Sequence, residues 1–325
     1  MGVVLTLGKF DGLHLGHQDI VRRVLARARA DGSESVALVL HPHPALVLAG
    51  ITVPVIASAA DRLAGLRRLG IDRAEVLPFT AELAALSPEA FIAGLRARFD
   101  LRAMVVGPDF AFGRGRSGSL DVLRDLGREA GFAVEVAPGL EVDGQQLSSA
   151  RIRSLLVEGD VAMSRRLMDE PFAVRGKVVH GAKRGRLLGF PTANLELVDT
   201  YVVPQNGVYA VRCRVEPDDS EASGLAGHEG NDLPGPWLNG AANIGIRPQF
   251  DAGERSIEVF LLDFDGDLYG RTVRMAFVER LRDELRFASV EALVARMGED
   301  VAQARRVLAE ETASRAAETG SVWQA

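Results

Sequence analysis

The chain has 325 residues, of which 47% are hydrophobic and 25% charged, and a formal net charge of −6. That length predicts two domains, and an acidic balance with no strongly basic region excludes a protein organised around nucleic acid. The single cysteine, Cys213, excludes an intramolecular disulfide and a multi-cysteine zinc site. No window approaches the roughly 18 apolar residues of a membrane span. No basic-then-apolar start marks a signal peptide, so a cytoplasmic chain with no membrane partner is expected.

Val3 to Leu7 is an apolar run that predicts a strand buried on both faces. Ile20, Val21, Val24, Leu25 and Ala28 recur at helical spacing behind it. Between them lies Gly8-Lys9-Phe10-Asp11-Gly12-Leu13-His14-Leu15-Gly16-His17. Glycines beside a helix N-terminus suit an anion, and His14 and His17 fall on one side of the turn, able to donate to phosphate oxygens. The spacing equally describes a glycine-rich turn with two solvated histidines, and it is not a Walker A loop. Ser35 to Leu40 predicts a second buried strand, closed by His41-Pro42-His43-Pro44. A helix follows over Asp61 to Leu69, a strand over Glu75 to Phe79, and a helix with a Ser87 cap and Pro88 at its first position. Ala103 to Gly107 predicts a strand, and the loop Pro108 to Gly118, with Asp109, Phe110 and Phe112, reads as a nucleotide wrap or as a surface loop. After a strand at Val134 to Val136, Ser148 and Ser149 open a helix that carries Arg153. The serines can cap that helix, or hold phosphates together with the forked guanidinium.

At Met168 to Phe172 the pattern changes to short alternating strands with glycine turns, which predicts an antiparallel barrel. Val211, Cys213 and Val215 alternate with Arg212 and Arg214; Ile257, Val259 and Leu261 alternate with Glu258 and Phe260; Val273, Met275 and Phe277 alternate with Arg274. Glu216 to Pro236, acidic and glycine-rich, reads as a long mobile hairpin loop. Helical spacing returns from Val290 to Leu308. Gly181, Lys183, Gly185 and Arg186 lie in a loop suited to a polyphosphate, and Thr192 and Asn194 offer oxygen ligands of the kind magnesium takes beside phosphates. A basic β-turn is the plainer reading of the glycine and arginine content.

The complete strings are more specific. The first, G-x-F-D-G-x-H-x-G-H, resembles the signature of the adenylyltransferase module of bacterial bifunctional riboflavin kinase/FAD synthetases. Pro42-His43-Pro44, the Asp109 to Gly113 stretch and Ser148-Ser149 with Arg153 are similar to further stretches of that family in the same order. Gly181 to Asn194 resembles the family's riboflavin kinase signature, and Asn243-Ile244-Gly245, Glu258 and Arg280 to Phe287 continue the likeness. Ala150 departs from a family threonine, and Gln249 alters a P-T-F stretch. The resemblance implies an α/β nucleotidyltransferase domain with a parallel sheet over 1–170 and a β-barrel kinase domain with a C-terminal helix over 171–325. It implies conversion of riboflavin and ATP to FMN, then of FMN and a second ATP to FAD and pyrophosphate, with Mg2+. It implies catalytic roles for His14, His17, Arg153 and Glu258, the last as base toward the ribityl hydroxyl. Phosphate contacts would come from Gly8, Phe10, Asp11, Gly16, Ser148, Ser149, Gly181, Lys183, Gly185 and Arg186. Flavin contacts would come from His43, Asp109, Phe110 and Phe112, and metal contacts from Thr192 and Asn194. Two rivals stand beside this: a kinase whose first module is weak or acts on another phosphate compound, and a flavin sensor without turnover.

Overall fold

A computed structural model describes residues 1–181, 188–217, 235–246 and 255–319, which pack as two compact units, Met1–Arg151 and Ile152–Ala325. In the first unit, β1 (Val3–Gly8), β2 (Glu34–His41), β3 (Arg73–Pro78), β4 (Leu101–Val106) and β5 (Ala133–Val136) form a sheet in the order β3-β2-β1-β4-β5. Every neighbouring pair is parallel. The helices between them are α1 (Leu15–Asp31), α2 (Pro44–Ala49), α3 (Ala59–Arg68), α4 (Ala81–Ala85), α5 (Pro88–Arg98) and α6 (Leu120–Ala130).

A parallel sheet needs cover on both faces, and β1 shows how it is met. Val3, Leu5 and Leu7 pack with Phe91 and Leu95 of α5 and Leu123 of α6; Val4, on the opposite face, packs with Val21 and Val24 of α1 and Leu66 of α3. Helix starts follow the sequence cues: the Ser87 hydroxyl accepts from the amide of Ala90, with Pro88 at the first position. From β1 the chain works outward to β3, then crosses to the other side of β1 as β4. Such a reversal opens a crevice at the carboxyl ends of the strands, where the loops leaving β1 and β4 begin. A short hairpin of β6 (Glu141–Val142) and β7 (Gln145–Gln146) precedes α7 (Ser149–Val157).

In the second unit, α8 (Val161–Met168) leads into β8 (Ala173–Val179), β9 (Ala193–Leu197), β10 (Gly207–Val215), β11 (Leu238–Ile246), β12 (Arg255–Leu261) and β13 (Thr272–Arg282). They close into a barrel in the order β10-β11-β12-β9-β8-β13, antiparallel throughout. Closure leaves no edge strand open to pairing. Helix α9 (Val290–Thr319) seats Ala304 and Leu308 on Ala210 of β10 and Val278 of β13. The change of pattern near residue 170 falls inside this unit, because α8 packs on β13 and buries Val161, Leu167 and Met168.

The alternation read from the strands is incomplete. Arg214 and Arg274, expected on the polar side, are only 5% and 8% exposed and face each other across β10 and β13. The Arg214 guanidinium lies 4.4 Å from the Trp237 ring centroid, a cation–π contact that lets a strand cation be covered. Cys213 is buried, and desolvation pushes its thiol pKa well up, as for an inert core residue. The loop expected over Glu216 to Pro236 joins two antiparallel neighbours, β10 and β11; its residues 218–234 lie outside the described residues, as do Lys183, Gly185, Arg186 and Gln249.

Candidate active sites

In the first unit the site grows from the loop after β1. Phe10 and Leu13 hold φ angles of 49° and 42°, a left-handed conformation that costs a non-glycine residue on the order of 1–3 kcal/mol. The surroundings over-determine it. Phe10 is 1% exposed, its ring among Val21, Val24 and Leu66. Asp11, also 1% exposed, accepts the backbone amides of Ile56 and Ala57 at 2.9 and 3.0 Å. The Ser149 hydroxyl donates to the Asp11 carbonyl at 2.9 Å, and Ser148 accepts the amide of Arg151 at 3.2 Å. Phe10 and Asp11, expected at phosphate, also anchor the loop, with Asp11 Oδ1 accepting both backbone amides.

This bracing sets the histidines. His14 and His17 stack with ring centroids 3.7 Å apart and planes 20° from parallel, and Phe10 lies 5.3 Å from His17. His14 is buried and His17 half-buried; the Nδ1 atoms of both, and the Thr6 hydroxyl of β1, are buried and have no hydrogen-bond partner among the described residues. Burial lowers the His14 pKa from 6.5 to about 4. Burial also holds His17 well below its ordinary value, reinforced by the charges of His14, Lys9 and Arg62. Two neutral imidazoles tolerate stacking where two cations would repel. A phosphate oxygen would supply the partner that a neutral, buried imidazole N–H lacks. Gly8 closes β1, and Gly16 stands in the first turn of α1.

Other expected members are placed unevenly. The His43 Nδ1 accepts the amide of Ala45 as the N-cap of α2. Phe112, expected at a flavin ring, is 6% exposed and packs against Phe91 with centroids 5.5 Å apart, so its surface is committed to the core. Phe110 is half-buried, stacked on Phe112, and Asp109 is exposed. Arg153 stands one turn along α7 from Ser149, on the same helix face. The sequence reading missed Arg62 of α3, a buried cation bonded to the loop itself.

In the second unit the key contact is between strands. Glu258 of β12 is in register with Asn194 of β9 and Asn243 of β11. Thr192, just before β9, donates its hydroxyl to Glu258 Oε2 at 3.3 Å. Asn194 is 6% exposed. Gly181 passes so close that a Cβ there would collide with the Asn194 amide, which explains a glycine at that turn. Thr192 borders two cavities. One, about 570 Å³, runs along Val178, Pro191, Val259, Asp267 and Tyr269. The other, about 280 Å³, is lined by Glu258, Asn243, Phe260 and Phe287, and by Leu293, Met297 and Val301 of α9. Oxygen donors at their junction suit a hard divalent cation.

A parallel sheet with an anion-ready loop at its switch point, joined in one chain to a barrel whose Thr192 stands between two cavities and bonds a carboxylate, defines a two-module transferase of phosphorus-containing groups. Family models for FAD synthetase and riboflavin kinase match residues 1–151 and 168–308. The bifunctional riboflavin kinase/FMN adenylyltransferase of Pseudomonas fluorescens is 38% identical, covering 95% of this chain and 94% of the relative. That of Escherichia coli K12 is 34% identical, covering 94% and 92%. A crystal structure described as a macrolide-efflux protein from Streptococcus pneumoniae superposes with a TM-score of 0.81 at 30% identity, covering 94% of both chains. The chain belongs to the bifunctional riboflavin kinase/FMN adenylyltransferase family. Among the described residues no helix is long and apolar enough to cross a membrane.

Proposed function

We propose that the barrel module phosphorylates riboflavin with ATP to give FMN and ADP, and that the parallel-sheet module transfers AMP from a second ATP to FMN, giving FAD and pyrophosphate. In this reading residues 1–170 serve adenylyl transfer, residues 171–325 serve the kinase, and the setting is the cytoplasm. The observation that carries the kinase half is the Thr192–Glu258 hydrogen bond where the two cavities meet. The larger cavity takes the nucleotide. The smaller one, walled by Phe260, Phe287, Leu293 and Met297, takes the flavin ring.

Glu258 accepts the proton of the ribityl 5′-hydroxyl as that oxygen bonds to the γ-phosphorus and ADP leaves. Thr192 and Asn194 would hold Mg2+, which neutralises charge on the phosphates when bound. Asn194, fixed between β8 and β12, keeps its amide oxygen at one place on the barrel wall. In the first module a phosphate oxygen of FMN is already a nucleophile, so the chain needs no strong base. It must align FMN with the α-phosphorus and supply donors to the departing pyrophosphate. His14 and His17 supply these at the head of α1, with Ser148 just before α7 and Ser149 and Arg153 on it.

The test is to incubate the pure protein with riboflavin, ATP and Mg2+ and chromatograph the flavins. FMN should rise first and FAD follow at its expense, and a chelator should stop both. FMN without FAD would favour a kinase with an altered first module, and unchanged riboflavin a sensor.

A further inference from the structure

Arg62 lies 53 residues from the loop it touches and belongs to none of the motifs that mark the site. Its side chain is 4% exposed. Nη1 donates to the carbonyl of Lys9 at 2.8 Å and Nε to the carbonyl of Ser58, at the start of its own helix, at 3.2 Å. Two carbonyls in different directions suit a guanidinium fork and not an ammonium. The Lys9 carbonyl belongs to the peptide that turns into Phe10, whose φ is 49° and whose ring meets His17. Arg62 thus fixes the peptide on which the orientation of His17 depends. Helix α3 grips the loop a second time at Leu13, the other left-handed residue: the Leu13 side chain fills the space where a Cβ on Gly65 would stand.

We propose that Arg62 is a positioning residue for adenylyl transfer, holding the Lys9–Phe10 peptide in the conformation that aims His17 and setting a buried cation beside it. The inference rests on the reading that His14 and His17 face the transferred phosphates. A fixed positive charge in a site shielded from water favours the negative charge that builds on the leaving pyrophosphate. The groups around His17 are His14 at the N-cap of its helix, Lys9 in the loop and Arg62 on α3, all of which disfavour its protonation.

The experiment compares R62M, R62K, H17A, G65A, L13A and the double variant L13A/G65A in the full chain. FAD formation from FMN and Mg-ATP is followed across pH, with the riboflavin kinase rate of each preparation as the control. R62M should lower kcat for FAD formation about 100-fold, leave the KM for FMN near wild type and spare the kinase. Its acid limb should move to higher pH, because removing the cation lets His17 protonate more readily. R62K should retain part of the rate. G65A should impair FAD formation by displacing Leu13, and L13A/G65A should return to the rate of L13A alone. A wild-type kcat in R62M overturns the proposal. So does an unmoved acid limb together with a silent G65A. Wild-type FAD formation by H17A would instead remove the site reading beneath it, which separates the two failures.

Discussion

His14 carries a stability consequence as well as a chemical one. Its pKa in the folded chain is about 4 against an ordinary 6.5, so between those values the unfolded chain binds the proton that the folded chain refuses. Folding stability from this group is fully present above the unfolded pKa and drains as pH falls through the folded one, by up to about 1.4 kcal/mol per pH unit. His17 acts in the same direction. Urea unfolding followed by circular dichroism from pH 7.5 to 4.5 should therefore show a steep acid loss, made shallower in H14Q; identical slopes would contradict the burial argument. At this scale the sequence was most legible where a motif is contiguous. The pair of histidines stands in one short string, but their burial does not, because it depends on Phe10 folding under the loop. Asp11 sits among glycines and histidines and so reads as a ligand contact. Its further role as a brace shows only in the amides of Ile56 and Ala57. Arg62 was invisible because an arginine on an amphipathic helix carries no mark of what its far end touches.

Among the elements, α9 joins stability to the wall of the smaller cavity, the proposed flavin site. Asp300, in its first half, is 4% exposed and pairs with both Nε and Nη2 of Arg282, the last residue of β13, at 2.8 and 2.6 Å. Arg296, one turn earlier, adds a contact at 3.2 Å. The same stretch of helix presents Leu293, Met297 and Val301 to the smaller cavity. Deleting one partner of a buried ion pair strands the other charge, at a cost of about 3 kcal/mol or more. D300A should lower unfolding stability by that order. It should also raise the riboflavin KM about tenfold, equivalent to about 1.4 kcal/mol, while the KM for ATP stays near wild type. An unchanged riboflavin KM would mean that the ion pair does not hold the cavity wall. The parallel strands were readable because β1, β2 and β4 are covered on both faces and appear as unbroken apolar runs. The barrel strands were readable wherever period two survives, as along Ile257, Val259 and Leu261. It fails at Arg214 and Arg274, whose covering by Trp237 and neighbouring strands is a tertiary event that no local pattern records.

At the scale of the whole molecule, one chain carries two transfer chemistries, and the proposed roles make different demands: a carboxylate base and oxygen ligands on the barrel, and imidazole donors at the sheet's switch point. FMN is the product of the first and the substrate of the second, so damage to one module should leave the other's half-reaction intact. H17A should convert riboflavin to FMN and stop there, with FAD formation lowered about 10²–10³-fold by the loss of one donor. E258Q should convert supplied FMN to FAD yet phosphorylate riboflavin about 10²–10⁴-fold more slowly for want of a general base. The most direct measurement is flavin chromatography of each variant alone and of an equimolar mixture, given riboflavin, ATP and Mg2+. The account predicts that neither variant alone makes appreciable FAD and that the mixture does, through FMN released by one protein and taken up by the other. Equal loss of both activities in either variant, or a mixture that stays without FAD, would contradict it.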